Sequence, residues 1–455
     1  MPLSIVILAA GQGKRMRSDL PKVLQPLAGR PLLKHVIEVA QSLEPADVRV
    51  VFGHGGDRVR EALATEKVSW VLQAEQLGTG HAVLQAAPDI PPDNLVLVLY
   101  GDVPLIRRST LEELVKLAGD NALSLLTMVV EDPTGYGRVV RDAKGEVQKI
   151  VEQKDATKPQ LKITECNTGI VAAPARLMRQ WLGLLKSDNS QGEYYLTDII
   201  AMAAAEGIKI NTLVSPTAGE VLGVNDKVQL AEAEGLRRAQ VARDLMIAGV
   251  TLADPARLDV RGTLVHASDV FIDVNAVFEG NVTLGNRVRI GPNCVVRDAQ
   301  IGDDTQVFAN CVIENTNIGP NCSIGPFSRF RPHSTLAGGV HIGNFVEVKN
   351  STLGADSKAN HLAYVGDAQV GSRVNIGAGT IVANYDGANK HRTIIEDEVH
   401  TGSNSVIVAP ITLGKGATVA AGSTVAMNVP PGKLTLARAR QVTIDGWERP
   451  TKPKK

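Results

Sequence analysis

The sequence predicts an α/β domain followed by a parallel β-helix. Three observations predict it. Short apolar runs alternate with helix-like segments through the first half. An apolar residue recurs at every sixth position through much of the second half. A stretch rich in Ala, Leu, Glu and Arg, Lys227–Ile247, separates them. A chain of 455 residues exceeds one ordinary core, so at least two domains are expected.

In the first half, Ser4–Ala9, Arg49–Phe52, Trp70–Gln73 and Leu95–Tyr100 read as short strands. Leu32–Leu43, Asp57–Ala64 and Gly80–Ala87 read as helices between them. Leu123–Val130 and Gly169–Ala173 add strands. Buried apolar strands separated by helices indicate a largely parallel sheet. The segment Lys227–Ile247 has helical spacing and reads as a connecting helix about 30 Å long.

The period of six then begins. Ile272, Phe278, Leu284, Ile290 and Val296 carry it. It resumes at Ile301, Val307 and Ile313, and at Ile318, Ile324 and Phe330. Val370, Ile376 and Val382 continue it, as do Leu413, Val419 and Val425. Glycine often follows the apolar residue, as in Leu284-Gly285, Ile301-Gly302 and Leu353-Gly354. Each apolar side chain should point into a prism, with small residues serving the corners. The expected division is 1–226, 227–248 and 249–455.

Charge narrows the function. Lys plus Arg equal Asp plus Glu, so no basic surplus marks a nucleic-acid footprint. No apolar run approaches transmembrane length. The apolar start lacks a positively charged leader and reads as a strand, not an export signal. Cys166, Cys294, Cys311 and Cys322 form no CxxC and read as reduced cytoplasmic thiols.

Two regions carry chemistry. The turn Leu8-Ala9-Ala10-Gly11-Gln12-Gly13-Lys14-Arg15-Met16 follows the first strand directly. Backbone N–H groups there can approach a phosphate or a base. It is neither GxGxxG nor a Walker loop, which argues against a hydride-transfer domain and a P-loop ATPase. Arg15 and Lys22 suit a triphosphate. Asp102 ends a buried parallel strand, where such folds bind ligands, although a plain turn aspartate before Pro104 fits the local sequence too. In the second region, KANHLAYVGDAQVGSRVNIGAGTIVANYDG departs from the repeat. Arg331 and Lys349 are long cations able to clamp a phosphate. His361, one of nine histidines, is either structural or a base, since imidazole titrates near neutrality. Asp386-Gly387 is a turn pair that should protrude.

The motifs LAAGQGKRM, LPKVL, QAEQLGTGHA, LYGDVPL, DPTGYGR, NTGI, QGEYYLTD, RPH, EVKN and NYDGANK together resemble a bifunctional family. Its members join N-acetylglucosamine-1-phosphate uridylyltransferase to glucosamine-1-phosphate N-acetyltransferase. The resemblance spans nearly the whole chain. It implies a Rossmann-like nucleotidyltransferase domain with a mixed, mostly parallel sheet, a linker helix and a left-handed β-helix. At the uridylyl end it implies that Leu8, Ala9, Ala10 and Gly11 hold the uridine, and that Gln73, Gly78 and Thr79 read the uracil. Tyr100 and Gly101 line the same site. Gly137, Glu152 and Asn167 are implied to contact the amino sugar. Arg15 and Lys22 handle phosphates, and Asp102 and Asn225 hold Mg²⁺.

At the acetyl end the same resemblance gives Arg331, Lys349, Tyr364 and Asn375 to glucosamine 1-phosphate, and His361 as base. Acetyl-CoA contacts fall on Ala378, Asn384, Tyr385, Ser403, Ala421 and Arg438. UTP and acetyl-CoA are the implied co-substrates. The implied assembly is a cytoplasmic homotrimer through the β-helix, with no nucleic acid and no membrane insertion. Its acetyl site lies between subunits, with Ala421 and Arg438 drawn from chains other than that of His361. The implied context is peptidoglycan and lipopolysaccharide precursor synthesis. Some positions differ from some members: Asn360 stands where some have glycine, Ala383 where some have cysteine, and His400 and Thr401 replace apolar residues.

Two other readings stay open. One is a single-function nucleotidyltransferase whose β-helix only oligomerises; the cluster Lys349, His361, Tyr364 and Asn375 argues against it. The other is a regulatory scaffold; intact Arg15, Lys22, Asp102 and Asn225 argue against that.

Overall fold

The computed structural model describes every residue except Gln12, His54, Gly55 and 453–455. The Gln12 position of the glycine-rich turn and the C-terminal residues 453–455 therefore lie outside the described residues. The chain forms two compact units, Met1–Arg237 and Arg238–Lys455. Their boundary falls inside the helix Lys227–Ile247.

The first unit is built on a mixed, mostly parallel sheet. Across the sheet the strands run Lys209–Val214, Ala122–Val129, Glu165–Pro174, Leu95–Tyr100, Leu3–Leu8, Asp47–Gly53 and Ser69–Gln73. Leu3–Leu8 is central and parallel to both neighbours. Glu165–Pro174 runs against both of its neighbours. Apolar runs such as Leu95–Tyr100 make sense here, because helices cover both faces and bury side chains of both parities. A hairpin, Arg138–Arg141 with Val147–Val151, joins the sheet through the pairing of Arg138 with Cys166 on Glu165–Pro174. Sequence periodicity did not reveal this hairpin, nor the helices Arg108–Leu117, Ala175–Leu182 and Asp198–Ala205. They are short, and tertiary burial decides them.

The second unit is a stack of parallel rungs. Its strands pair in parallel from Thr251 to Thr435 among the described residues. The residues of the six-fold period point inward: Ile290, Val296, Ile313, Ile324 and Phe330 are fully buried. Corner chemistry differs from the expectation. The left-handed corner positions are often Asn or Asp, such as Asn293, Asn310 and Asp356, which tolerate positive φ. The glycine after the apolar residue answers a different need. At Gly354 a Cβ would meet the carbonyl carbon of Gly371 at 2.5 Å, so the next rung leaves no room for a side chain.

Candidate functional site

Leu8 and Tyr100 are register partners on the two central strands. The chain leaves both strands at the same edge, and Gly101 N–H donates to Leu8 O at 2.9 Å. A cavity of about 360 Å³ opens at this edge. Leu8, Ala9, Ala10, Gly11, Lys22, Gln73, Gly78, Thr79, Tyr100 and Asp102 line it. Gln76 and Glu193 line it as well, and neither was singled out in the sequence. Gln76 Nε2 donates to Ala10 O at 2.5 Å, tying the glycine-rich turn down. Its only sequence signal is its place in QAEQLGTG.

Three polar groups converge beside that turn. Lys22 Nζ lies 2.5 Å from Asp102 Oδ2 and 3.2 Å from Asn225 Oδ1. Asn225 Nδ2 donates to Gly223 O at 3.2 Å, which leaves Oδ1 aimed at the cation. Val224 N–H donates to Asp102 O at 2.8 Å, so the two acceptor residues share a backbone tie across a long stretch of sequence. Gly13 makes the approach possible. It has φ 61°, and a Cβ there would meet Lys22 Cβ at 2.5 Å. Arg15 is exposed on the single turn Lys14–Met16. Glu220, another residue missed in the sequence, is buried and accepts from Arg107 N–H at 3.0 Å. It ties the segment before Asn225 to the segment after Asp102.

Tyr100 forms the wall towards the remaining predicted residues. Burial, then the charges of Glu152 and Asp102, push its phenol upward. Glu152 accepts from Thr197 Oγ1 at 3.2 Å, and burial raises its carboxyl above the usual range. Asn167 N–H donates to Gly137 O at 2.9 Å. Gly137, Glu152 and Asn167 are thereby gathered on adjoining strands, since a Cβ at Gly137 would stand 3.3 Å from Glu152 Oε1.

In the β-helix, four predicted residues stack along one corner. Gly379 N–H donates to His361 O, Asn404 N–H to Ala378 O, and Gly422 N–H to Ser403 O. Position by position, the corner reads His361, Ala378, Ser403, Ala421. Arg438 closes the line by donating from Nη1 to Ala421 O at 2.7 Å. Within one chain the imidazole rung is thus followed by a track of small residues. The adjacent corner residue changes along the same line. It is Phe327, Phe345 and Leu362 up to the His361 rung, then Gly379, Asn404 and Gly422.

A second cluster occupies the ends of Glu347–Lys349 and Tyr364–Gly366. Lys349 Nζ lies 3.8 Å from Asp367 Oδ2. Asn350 Nδ2 donates to Asp367 at 2.5 Å, and Asn384 Nδ2 donates to its other oxygen. Asn384 Nδ2 also lies 3.4 Å from Tyr364 Oη. Arg331 pairs with Glu347 at 3.1 Å, and Glu347 stands in register with Tyr364. Lys390 completes a group of cations. The neighbouring Lys390 ammonium, then burial, holds the Lys349 ammonium below its usual range, with the charge of Arg331 adding and Asp367 opposing. Asp367 and Lys390 were not singled out in the sequence; only their placement beside Lys349 marks them. Asp386 anchors the protruding turn by accepting from Ala388 N–H, Asn389 N–H and His391 Nε2. Tyr385 is exposed on that turn. Asn375 lies on a different strand, in register with Lys358 and His400.

Comparison with known proteins follows the same division. Residues 5–158 match the MobA-like NTP transferase domain. Residues 260–342 match the GMPPB C-terminal domain, and 392–426 the hexapeptide repeat of succinyl-transferase. The bifunctional protein GlmU of Azoarcus sp. (strain BH72) is 58% identical over 450 residues, covering 99% of this chain and 100% of the relative. The GlmU of Ralstonia nicotianae is 57% identical over 453 residues, covering 100% of both. The chain belongs to the bifunctional GlmU family. As a GlmU it is a two-activity transferase of UDP-N-acetylglucosamine synthesis. It N-acetylates glucosamine 1-phosphate and then transfers a uridylyl group to N-acetylglucosamine 1-phosphate, releasing pyrophosphate. No helix among the described residues is long and apolar enough to cross a membrane.

Proposed function

We propose that residues 1–226 carry uridylyl transfer from UTP and residues 249–455 carry acetyl transfer from acetyl-CoA, with 227–248 as linker. The observation that carries the first assignment is the cavity that gathers Leu8–Gly11, Gln73, Thr79 and Asp102 at one sheet edge. Ligands in open α/β sheets bind outside the carboxyl ends of strands. The sugar phosphate attacks the α-phosphorus as an anion, so no general base is needed. The protein's work is positioning and charge neutralisation. Lys22 and Arg15 supply cations to the phosphates. Gly137, Glu152 and Asn167 contact the amino sugar.

The residues present fit Mg²⁺. Asp102 Oδ2 and Asn225 Oδ1 are hard oxygen donors already converging on one cation, the Lys22 ammonium. Mg²⁺ favours one or two protein oxygens completed by phosphate and water. Bound there, it would neutralise charge on the phosphates.

At the acetyl end, Arg331, Lys349 and Lys390 bind the sugar phosphate, with Tyr364 and Asn375 on the sugar. His361 takes a proton from the amine as it attacks the thioester carbonyl. The track Ala378, Ser403, Ala421 and Arg438 accommodates acetyl-CoA, with Asn384 and Tyr385 beside it. We infer a homotrimer. Phe327, Phe345 and Leu362 are 49%, 57% and 61% exposed, and each holds positive φ. Left-handed backbone costs a bulky L-residue roughly 1 kcal/mol or more. A neighbouring chain covering this ladder would face the His361 rung directly. Cytoplasmic location accords with four free cysteines, all buried.

One preparation tests the division. Asp102→Ala should lower pyrophosphate release about a hundredfold or more while CoA-thiol release stays near normal. Parallel loss of both activities in a folded protein would refute it.

A further inference from the structure

Gln73 is 3% exposed at the wall of the nucleotide cavity. Its Nε2 lies 3.1 Å from Gly78 O and 3.0 Å from His81 Nδ1. A carbonyl oxygen can only accept, so the amino end of the carboxamide must face Gly78. The Gly78 carbonyl is held in place, because it also accepts from Ala82 N–H at 3.1 Å at the start of the helix Thr79–Ala86. Gly78 has φ 109°, and a Cβ there would strike the Tyr194 carbonyl oxygen at 2.7 Å. Tyr194 is itself fixed on both sides, by Gly80 N–H donating to its oxygen and its own N–H donating to Leu77 O.

The second hydrogen of Gln73 Nε2 goes to His81 Nδ1, which must present a lone pair. The ring proton then sits on Nε2, 3.1 Å from the side-chain amide of Gln85. Gln85 reaches its own helix only at 3.4 Å, so its oxygen is free to turn and accept that proton. Both hydrogens of Gln73 are consumed. What it can offer a ligand is Oε1, a group that only accepts.

Uracil presents N3–H, a donor, between two carbonyls. Cytosine presents a bare N3, an acceptor, at the same place. An Oε1 with no alternative orientation welcomes the first and repels the second. We propose that His81 is a positioning residue that locks the polarity of Gln73 and so makes the cavity select uracil over cytosine nucleotides. This rests on the reading that Gln73 faces the base.

The test is pyrophosphate release with UTP and with CTP at saturating N-acetylglucosamine 1-phosphate. The readout is the ratio of kcat/KM for the two nucleotides. That ratio is taken within one preparation, so it does not depend on the fraction of folded enzyme. His81→Phe keeps a ring but removes the acceptor. It should lower the UTP preference about tenfold, through KM rather than UTP kcat, because Gly78 O remains as the second lock. His81→Asn places an amide oxygen where Nδ1 stood and should restore most of the preference. Gln73→Leu should abolish it. If Gln73→Leu abolishes the preference while His81→Phe leaves it intact, the role of His81 is overturned. If Gln73→Leu itself leaves the ratio unchanged, the base-reading assignment of Gln73 fails and the proposal fails with it.

Discussion

The Lys22 ammonium stands 2.5 Å from Asp102 Oδ2, on the oxygens a divalent cation would use. Lysine and metal therefore compete for Asp102 and Asn225 until a nucleotide brings phosphate oxygens for the lysine. Lys22→Met removes the competitor and leaves the carboxylate and amide oxygens without a cation. In the absence of nucleotide, the variant should bind Mn²⁺ roughly tenfold more tightly than wild type, read by calorimetry. Its thermal midpoint should rise more on adding the metal, by mass action on the folded state. Uridylyl transfer should fall at the same time, since the phosphates lose a cation. Equal Mn²⁺ affinity in both proteins would show that the lysine does not guard the site.

Glu152 carries a pH dependence whose sign follows from its burial. Its carboxyl is raised above the ordinary glutamate value, chiefly by desolvation, with Asp155 and Asp198 adding and the Thr197 bond opposing. The folded state therefore binds this proton more tightly than the unfolded state. Stability falls as pH rises from the ordinary value through the raised one, and the penalty is complete above it. Glu152→Gln should raise the melting temperature at neutral pH. The gain should vanish below the ordinary glutamate range, where the wild-type carboxyl is protonated in both states. If Glu152 contacts the sugar, the same variant raises KM for N-acetylglucosamine 1-phosphate, a trade of binding for stability. A gain independent of pH would remove the desolvation account.

Much of this was legible in the sequence because it depends on local rules. Apolar spacing marked Ile290 and Phe330 as interior, and both are fully buried. The glycine-rich turn after Leu3–Leu8 marked the nucleotide edge because strand and turn are contiguous. What was not legible depends on partners far apart in the chain. Gly354 was expected to serve a corner, yet its constraint is the Gly371 backbone one rung away. His81 looks like an ordinary helix residue until its ring nitrogen and the Gly78 carbonyl are seen to share the amino group of Gln73. Asp367 looks like one more polar corner residue. Only the fold puts Asn350, Asn384 and Lys349 around it.

Asp367 should therefore matter to acetyl transfer although it contacts no reacting atom in this arrangement. Asp367→Asn keeps the shape, removes the charge and turns a donor towards two carboxamide donors. The Lys349 ammonium, already held low by Lys390, loses the one charge that opposes the shift. A lysine with a lowered value turns neutral at a lower pH. Binding of glucosamine 1-phosphate should thus weaken at lower pH in the variant than in wild type, seen as KM rising earlier on the alkaline side. An unfulfilled buried donor adds about 1–3 kcal/mol of instability. Matching KM profiles with only a lower melting temperature would restrict Asp367 to a structural role.

His361 is the base proposed for the second site. It ends the strand Lys358–His361, directly in register with Asn344, and the chain turns sharply after it at Leu362, φ 51°. The small residues Ala378, Ser403 and Ala421 continue along the same corner. General-base catalysis contributes ~10²–10⁴-fold. His361→Gln should lower acetyl-transfer kcat by roughly that factor, about 3–5 kcal/mol in barrier. Glutamine retains polarity and bulk but cannot take the proton as imidazole does. Acetyl-CoA affinity should change little, because Asn384, Tyr385, Ser403 and Arg438 remain. Single-turnover acetyl transfer at saturating substrates, followed across pH, separates the cases. The acidic limb of the wild-type profile should disappear in the variant if it reports the imidazole. A variant with near-normal kcat and the same acidic limb would move the base elsewhere, to a water held near Tyr364 or to an amine that arrives already neutral.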